Sequence, residues 1–246
     1  MASDLDADFP ALSDRLSAAL RPFAPPIAIQ FHFDSPAEAV RFDGVYPAPN
    51  DAGRTGAVPA GCVFWIEAAR RSFSTVASDH ANCSVGSYTH GFLDLATAAR
   101  GDDVAAALGA GWIDEAAFGR LPALGRTPLA VTYGPLREAS GADVVLLRIS
   151  GLALMTVKDA FPDLAIEGKP QCHIIPLALQ AGAPIASVGC ALSRARTAMR
   201  SEELVCVLPG KGLAGIVEKL EAAASLDRAM ARYAGEDAQR WSAAPS

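Results

Sequence analysis

Several signatures that would disclose a function are missing from this chain of 246 residues. There is no phosphate loop of the Gly-x-x-x-x-Gly-Lys-Ser/Thr type and no Gly-x-Ser-x-Gly elbow. Nucleotide hydrolysis and serine-hydrolase chemistry are therefore not expected, nor is a built-in dinucleotide site. No Cys-x-x-Cys pair occurs among the five cysteines, which removes the compact spacing of zinc ribbons and thioredoxin-like redox sites. No basic run exceeds Arg70-Arg71, and 21 Lys and Arg are outnumbered by 27 Asp and Glu, so nucleic acid is not an expected partner. The most apolar tract, residues 173–189, is broken by Pro176, Gln180 and Pro184, so no membrane-spanning helix and no membrane partner are expected. Residues 1–8 lack the basic start and apolar stretch of a signal peptide, which points to the cytoplasm. In that reducing compartment an odd number of cysteines argues for free thiols, used in packing, metal ligation or redox chemistry.

Hydrophobic residues make up 51% of the chain and charged residues 20%, enough apolar surface for a sizeable core. Leu12, Leu16 and Leu20 recur at helical spacing over residues 10–20, with Ser13 or Asp14 as cap. Alternation of Ile27, Ile29, Phe31 and Phe33 predicts a strand over 26–33, and the prolines and glycines of 44–59 predict a long loop. Helices are expected at 62–72, 102–108, 114–118, 152–161, 172–180 and 213–233, and strands at 129–133, 144–149, 185–188 and 204–208. Residues 79–90 read as an irregular loop and 237–246 as a frayed tail. PPIAIQFHF near residue 25 is similar to TPLAVTYGP near residue 127, and Cys62 to Cys83 spans 21 positions where Cys172 to Cys190 spans 18. These repetitions suggest one compact domain, 1–246, with an internal duplication over 21–120 and 125–225. The expected class is α+β: two similar halves, each a small mixed or antiparallel sheet covered by helices, sharing one core.

Chemistry concentrates at Asp79-His80-Ala81-Asn82-Cys83-Ser84-Val85-Gly86-Ser87-Tyr88-Thr89-His90-Gly91, which holds two of the four histidines. Imidazole is a common metal ligand and haem axial ligand, so His80 or His90 is a candidate for iron, with Tyr88 and Asn82 as hydrogen-bond donors to bound oxygen. A plain hydrogen-bonded loop is the competing reading. Cys62, Cys83, Cys172 and Cys190 form a second constellation, since four thiolates can hold an iron–sulfur cluster or zinc, although buried cysteine is often no more than a small hydrophobe. Cys206, inside a strand pattern, reads as core. Arg194 and Arg196 follow Cys190 and are candidates for pairing with carboxylates such as haem propionates. His173 is a further candidate for a cavity, and Phe64, Trp65, Phe73, Tyr88 and Phe92 for an aromatic wall or the core.

The runs GCVFWIEAARRSFSTVASDHANCSVGSYTHG, KPQCHIIPLALQAGAPIASVGC and ELVCVLPGKGLAGIVEKL resemble, in that order, the ArCR family, with a match from about residue 21 to 220. Cys62, Cys83 with Gly86, Cys172, and Gly189-Cys190 with Arg194 fit the family's pattern; Leu192 departs from it where many members carry glycine. The Asp79–Cys83 and Gly86–His90 runs match one branch. Within this grouping the chain is similar to trans-anethole oxygenase-like haem proteins. That likeness implies a haem-dependent oxygenase or peroxygenase cleaving the side-chain double bond of aryl alkenes to aldehydes. Haem b would then be the cofactor, with His80 or His90 on iron and Cys83, Arg194 and Arg196 as further contacts. A small aromatic substrate, dioxygen or peroxide, and a second copy of the chain are the expected partners. The alternatives are an iron–sulfur redox or sensing protein using the four cysteines, and a cofactor-free module binding a small ligand.

Overall fold

The computed structural model describes residues 8–43, 61–197 and 199–242; the loop expected at 44–59 lies outside them. Helix α1 spans Phe9–Leu20 and opens at Asp8, whose carboxylate accepts from the Ala11 amide at 3.0 Å. The cap is thus one turn earlier than Ser13, which is buried inside the helix. Strand β1 (Ile27–His32) follows, then α2 (Gly61–Ala68), β2 (Phe73–Thr75) and a 3-10 turn at Ala77–His80. Four short helices come next, α3 (Ser84–Thr89), α4 (Leu95–Ala98), α5 (Asp102–Gly109) and α6 (Glu115–Phe118). Then come β3 (Ala130–Pro135), β4 (Val144–Ile149), α7 (Gly151–Ala160), β5 (Ala165–Glu167), α8 (Ile174–Ala181), β6 (Ile185–Ser187), α9 (Ala191–Thr197), β7 (Leu204–Pro209) and α10 (Leu213–Ser242).

The class is α+β, and the strands of both halves share one seven-stranded sheet in the order β2-β3-β1-β4-β7-β6-β5. Every pairing is antiparallel except β5 with β6. Strand alternation divides the core cleanly. Val144 and Leu146 of β4 face a layer built with Phe64 and Trp65 of α2 and Ile174 and Ile175 of α8. Val145, Leu147 and Ile149 face the opposite layer, with Leu12 and Leu16 of α1, Val157 of α7 and Val217 of α10. Helices α3 to α6 close over their own small cluster, including Val85, Val104, Ile113 and Phe118, which Cys172 joins from the second half. Asp94 and Asp114 cap α4 and α6 through the Thr97 and Ala117 amides, each at 2.7 Å.

The order of elements recurs. β1, Cys62 with α2, β2, Cys83 with α3, and β3 are followed by β4, Cys172 with α8, β6, Cys190 with α9, and β7. Corresponding strands lie at equal removes from the β1–β4 seam, so β4 is the counterpart of β1. The sequence likeness between 25–33 and 127–135 instead links β1 with its direct neighbour β3. On the β7 side of β4, Arg148 meets Glu203, which precedes β7. Glu203 is 1% exposed and also accepts from the Arg200 amide at 3.3 Å.

Against the expectation that no Gly-x-Gly-x-x-Gly follows a strand, the run Gly210-Lys211-Gly212-Leu213-Ala214-Gly215 after β7 has the glycine spacing of a dinucleotide-binding turn between a strand and a helix. Its setting is wrong for one. β7 pairs antiparallel with both neighbours and no strand follows α10 among the described residues, so there is no βαβ unit. Gly210 is needed because a Cβ there would lie 1.8 Å from the Ala142 carbonyl oxygen, and Gly212 turns with φ +74°. Helix α10 continues to Ser242, well beyond Tyr233, and after Ala224 none of its residues is buried. No helix among the described residues is long and apolar enough to cross a membrane.

Candidate functional site

Each half contributes two cysteines, and all four stand where a helix begins. Cys62 is the second residue of α2, and Cys83 caps α3, its Sγ accepting from the Gly86 amide at 3.4 Å. Cys172 lies in the turn leading into α8, and Cys190 immediately precedes α9. The four line one cavity of about 40 Å³ between the sheet layer carrying α2 and α8 and the small lobe of α3 to α6. Its remaining wall includes Gly61, Val85, Trp112, Gln171, Ser193 and Arg196. A shallow depression of about 340 Å³ over Ala106, Ala110 and Ala191 adjoins it, the two sharing Asp103, Ala107, Trp112 and Leu192.

All five cysteines are free thiols. Burial pushes the Cys62 thiol up to about 12, with a further push from Cys83 and Cys190; a hydrogen bond with Ser193 and the Arg196 charge pull the other way. Cys172 is driven well above the ordinary range, first by burial and then by Cys83, Cys190 and Cys62. Cys83 is raised by burial against the opposing Gly86 amide and Arg196. Thiols held neutral in this way are poor nucleophiles. Cys206 differs in kind: it packs in the other layer, and burial alone raises it to about 12.

The two arginines after Cys190 have separate jobs. Arg194 is spent on backbone carbonyls, donating to Arg200 at 2.5 Å and to Val188 and Glu203 at 2.8 Å each. It fastens the segment between β6 and β7, and a Cβ on Gly189 (φ +102°) would lie 3.0 Å from its guanidinium. Arg196 donates through Nη2 to the Asn82 carbonyl at 3.2 Å, which ties α9 to the segment bearing Cys83, while its Nη1 is buried without a partner. Gln171 reaches the Ser193 hydroxyl across the same cavity.

His80 and His90 are fully buried, their ring centroids 5.3 Å apart. Thr75 gives its hydroxyl proton to the Val131 carbonyl (3.3 Å), so His80 Nε2 is the donor in its 3.0 Å bond to Thr75 Oγ1. His90 Nδ1 donates to the Gly86 carbonyl at 2.9 Å. Both tautomers follow from these partners, and they leave His80 Nδ1 and His90 Nε2 as acceptors with no donor. Both nitrogens face Gly61, 3.9 and 3.6 Å from where a Cβ would stand, just behind the cavity wall. Burial drives both imidazoles toward the neutral form, His90 to about 4 and His80 well below its ordinary value, with His90 adding a second push on His80.

Around this pair the packing is aromatic. Phe64 and Phe92 lie 5.0 and 4.9 Å from His80, and Phe31 lies 5.9 Å from His90. A porphyrin bound to either imidazole would have to displace these rings, so the packing does not fit a haem. Tyr88 donates its hydroxyl to the Leu121 carbonyl at 2.9 Å, and the side chain of Asn82 is exposed; neither is turned to the imidazoles. Phe64, Trp65 and Phe73 are core. His173 is buried beside Glu167 at 3.3 Å. Sequence reasoning singled out the four cysteines and Arg196 but not Trp112, Gln171 or Ser193, for which the chain offers only proximity to cysteines as a signal.

Among the described residues no three of His, Cys, Asp and Glu stand close enough to share one metal ion. A single tetrahedral ion sits about 2.3 Å from each sulfur and draws its four ligands into mutual contact. A sulfide-bridged core of several irons holds its thiolates farther apart, on the walls of a cavity. A family model described as "Uncharacterised ArCR" matches residues 15–219. The chain belongs to this family. No curated protein and no solved structure matches it. The ArCR span runs from within α1 to within α10, so it contains all seven strands and the four cavity cysteines, and it stops short of the exposed second half of α10.

Proposed function

We propose that this ArCR protein is a redox or sensing protein that carries an iron–sulfur cluster on Cys62, Cys83, Cys172 and Cys190. The observation carrying this reading is that four thiols, two from each half of the chain, line one buried cavity. Soft thiolate donors select iron–sulfur clusters or closed-shell soft ions. The thiols repel one another as anions, a conflict that a cationic core resolves by deprotonating them outright. Bound there, such a cluster supplies one-electron exchange.

The chain's own residues do the rest. Val85 and Trp112 exclude water from the sulfurs, and Lys169, whose ammonium sits 4.8 Å over the indole, braces Trp112 from outside. The adjoining depression over Ala106 and Ala110 leaves only a thin wall between the cavity and solvent, where an electron donor or acceptor can approach.

The test is an absorption spectrum of protein purified without air, with iron, zinc and labile sulfide measured on the same sample. The expected result is broad absorption bleached by dithionite, with iron and sulfide in equal amounts. Ser in place of any one of the four cysteines should abolish or sharply reduce both, and Cys206→Ala should leave them unchanged. A colourless, iron-free protein would refute the reading. A Soret band shifting with carbon monoxide would do so as well, in favour of the haem oxygenase that the family resemblance implies.

A further inference from the structure

We infer that Arg196 sets the reduction potential of the guest in the four-thiol cavity, holding it above the value that the four thiolates alone would give. This rests on the cluster reading above. Among the described residues, Arg196 contributes the one guanidinium in the cavity wall and no lysine lines it. Its Nη2 donates to the Asn82 carbonyl at 3.2 Å, and its Nη1 is buried with no acceptor. Leaving a buried charged donor unpaired costs more than the roughly 1–3 kcal/mol of a neutral one. The Cys83 sulfur is within hydrogen-bonding reach of this guanidinium.

The sign follows from charge. Four thiolates bring four negative charges, and reduction adds one electron to a centre walled off from water. A cation at hydrogen-bond range in a medium of low dielectric stabilises the more negative, reduced state, and N–H donation to a cluster sulfur acts in the same direction. The opposing charge in the wall is Asp103, whose carboxylate is occupied by the Ser84 amide at 3.0 Å. Arg194, only two residues away, does not line the cavity, and its two terminal nitrogens donate to backbone carbonyls instead.

The experiment is a dye-mediated redox titration of protein purified without air, followed by absorption and electron paramagnetic resonance. Arg196→Gln is expected to move the midpoint potential to a more negative value, and Arg196→Lys to restore part of the shift. If Arg196→Gln does not retain its cluster, Arg196→Lys decides, since a compact ammonium without the guanidinium fork must leave the midpoint below that of wild type. An unchanged midpoint in fully loaded Arg196→Gln, or in Arg196→Lys where that variant decides, overturns the role of Arg196 while leaving the cluster in place. Wild-type protein without iron and sulfide overturns the cluster reading itself, and this inference with it.

Discussion

Acidification from pH 6.5 to pH 4 is expected to cost the fold about 3 kcal/mol through His90 alone. The native imidazole titrates near 4 because burial disfavours its charged form, whereas the unfolded chain titrates at the ordinary value of about 6.5. Between those limits the unfolded state binds a proton that the native state refuses. Stability is therefore complete above pH 6.5 and falls with pH, by about 1.4 kcal/mol per unit for each such group. His80 is shifted in the same direction and further, by burial and by His90, so near pH 5 the slope should approach two protons. Urea unfolding at pH 7, 6, 5 and 4.5 measures it. His90→Gln should remove about one proton from the slope, and a stability that stays flat from pH 7 to 5 would show that the pair is hydrated in solution.

Glu203→Ala is expected to destabilise the protein by about 3–5 kcal/mol. The carboxylate is 1% exposed and the Arg148 side chain 14%, so the substitution strands a largely buried guanidinium beside β7 with no counter-charge. The second bond of the fork, Arg148 Nη2 to Glu203 Oε2 at 3.0 Å, and the Arg200 amide are lost with it. The double replacement Arg148→Met with Glu203→Leu should recover most of the loss, because two apolar side chains leave no buried charge. Thermal melts of the single and double variants decide the matter; a single variant within 1 kcal/mol of wild type would mean that Arg148 escapes to water.

The elements legible in the sequence are those with room for a period. α1, α7 and the strands β1, β4 and β7 each carry enough alternating or helical positions to be read directly. β2 and β5 have three residues each, too few to show alternation, and each forms by pairing along the edge of a neighbouring strand, β3 and β6 respectively. α3 was hidden because its cap is a cysteine rather than Ser, Thr, Asp or Asn. α9, ALSRART, has no apolar stripe and is held by the Thr197 hydroxyl on the Ser193 carbonyl and by the staple of Arg194. The joining of two expected sheets into one depends on β1 meeting β4, residues more than a hundred positions apart.

The same distance hid the site. Composition marks the cysteines, but nothing local says that residues 62 and 172 face one another, or that Arg196 turns inward while Arg194 does not. His80 and His90 stood out as a polar cluster in an Ala-rich chain. Their true surroundings come from Phe31 on β1, Phe64 on α2 and Phe92 beyond α3, and only the fold assembles those rings.

Because the thiols are divided between residues 62–83 and 172–190, neither half can make the site alone. A guest gripped by all four would act as a clasp on the tertiary structure, adding to stability in proportion to the logarithm of its concentration over its dissociation constant. During synthesis, such loading would have to wait until Cys190 has emerged and β4 has found β1, so every chain would pass through an empty, fully thiol form. Conversely, any event that parted the halves would release such a guest in one step, which would make occupancy a direct report on whether the two are docked.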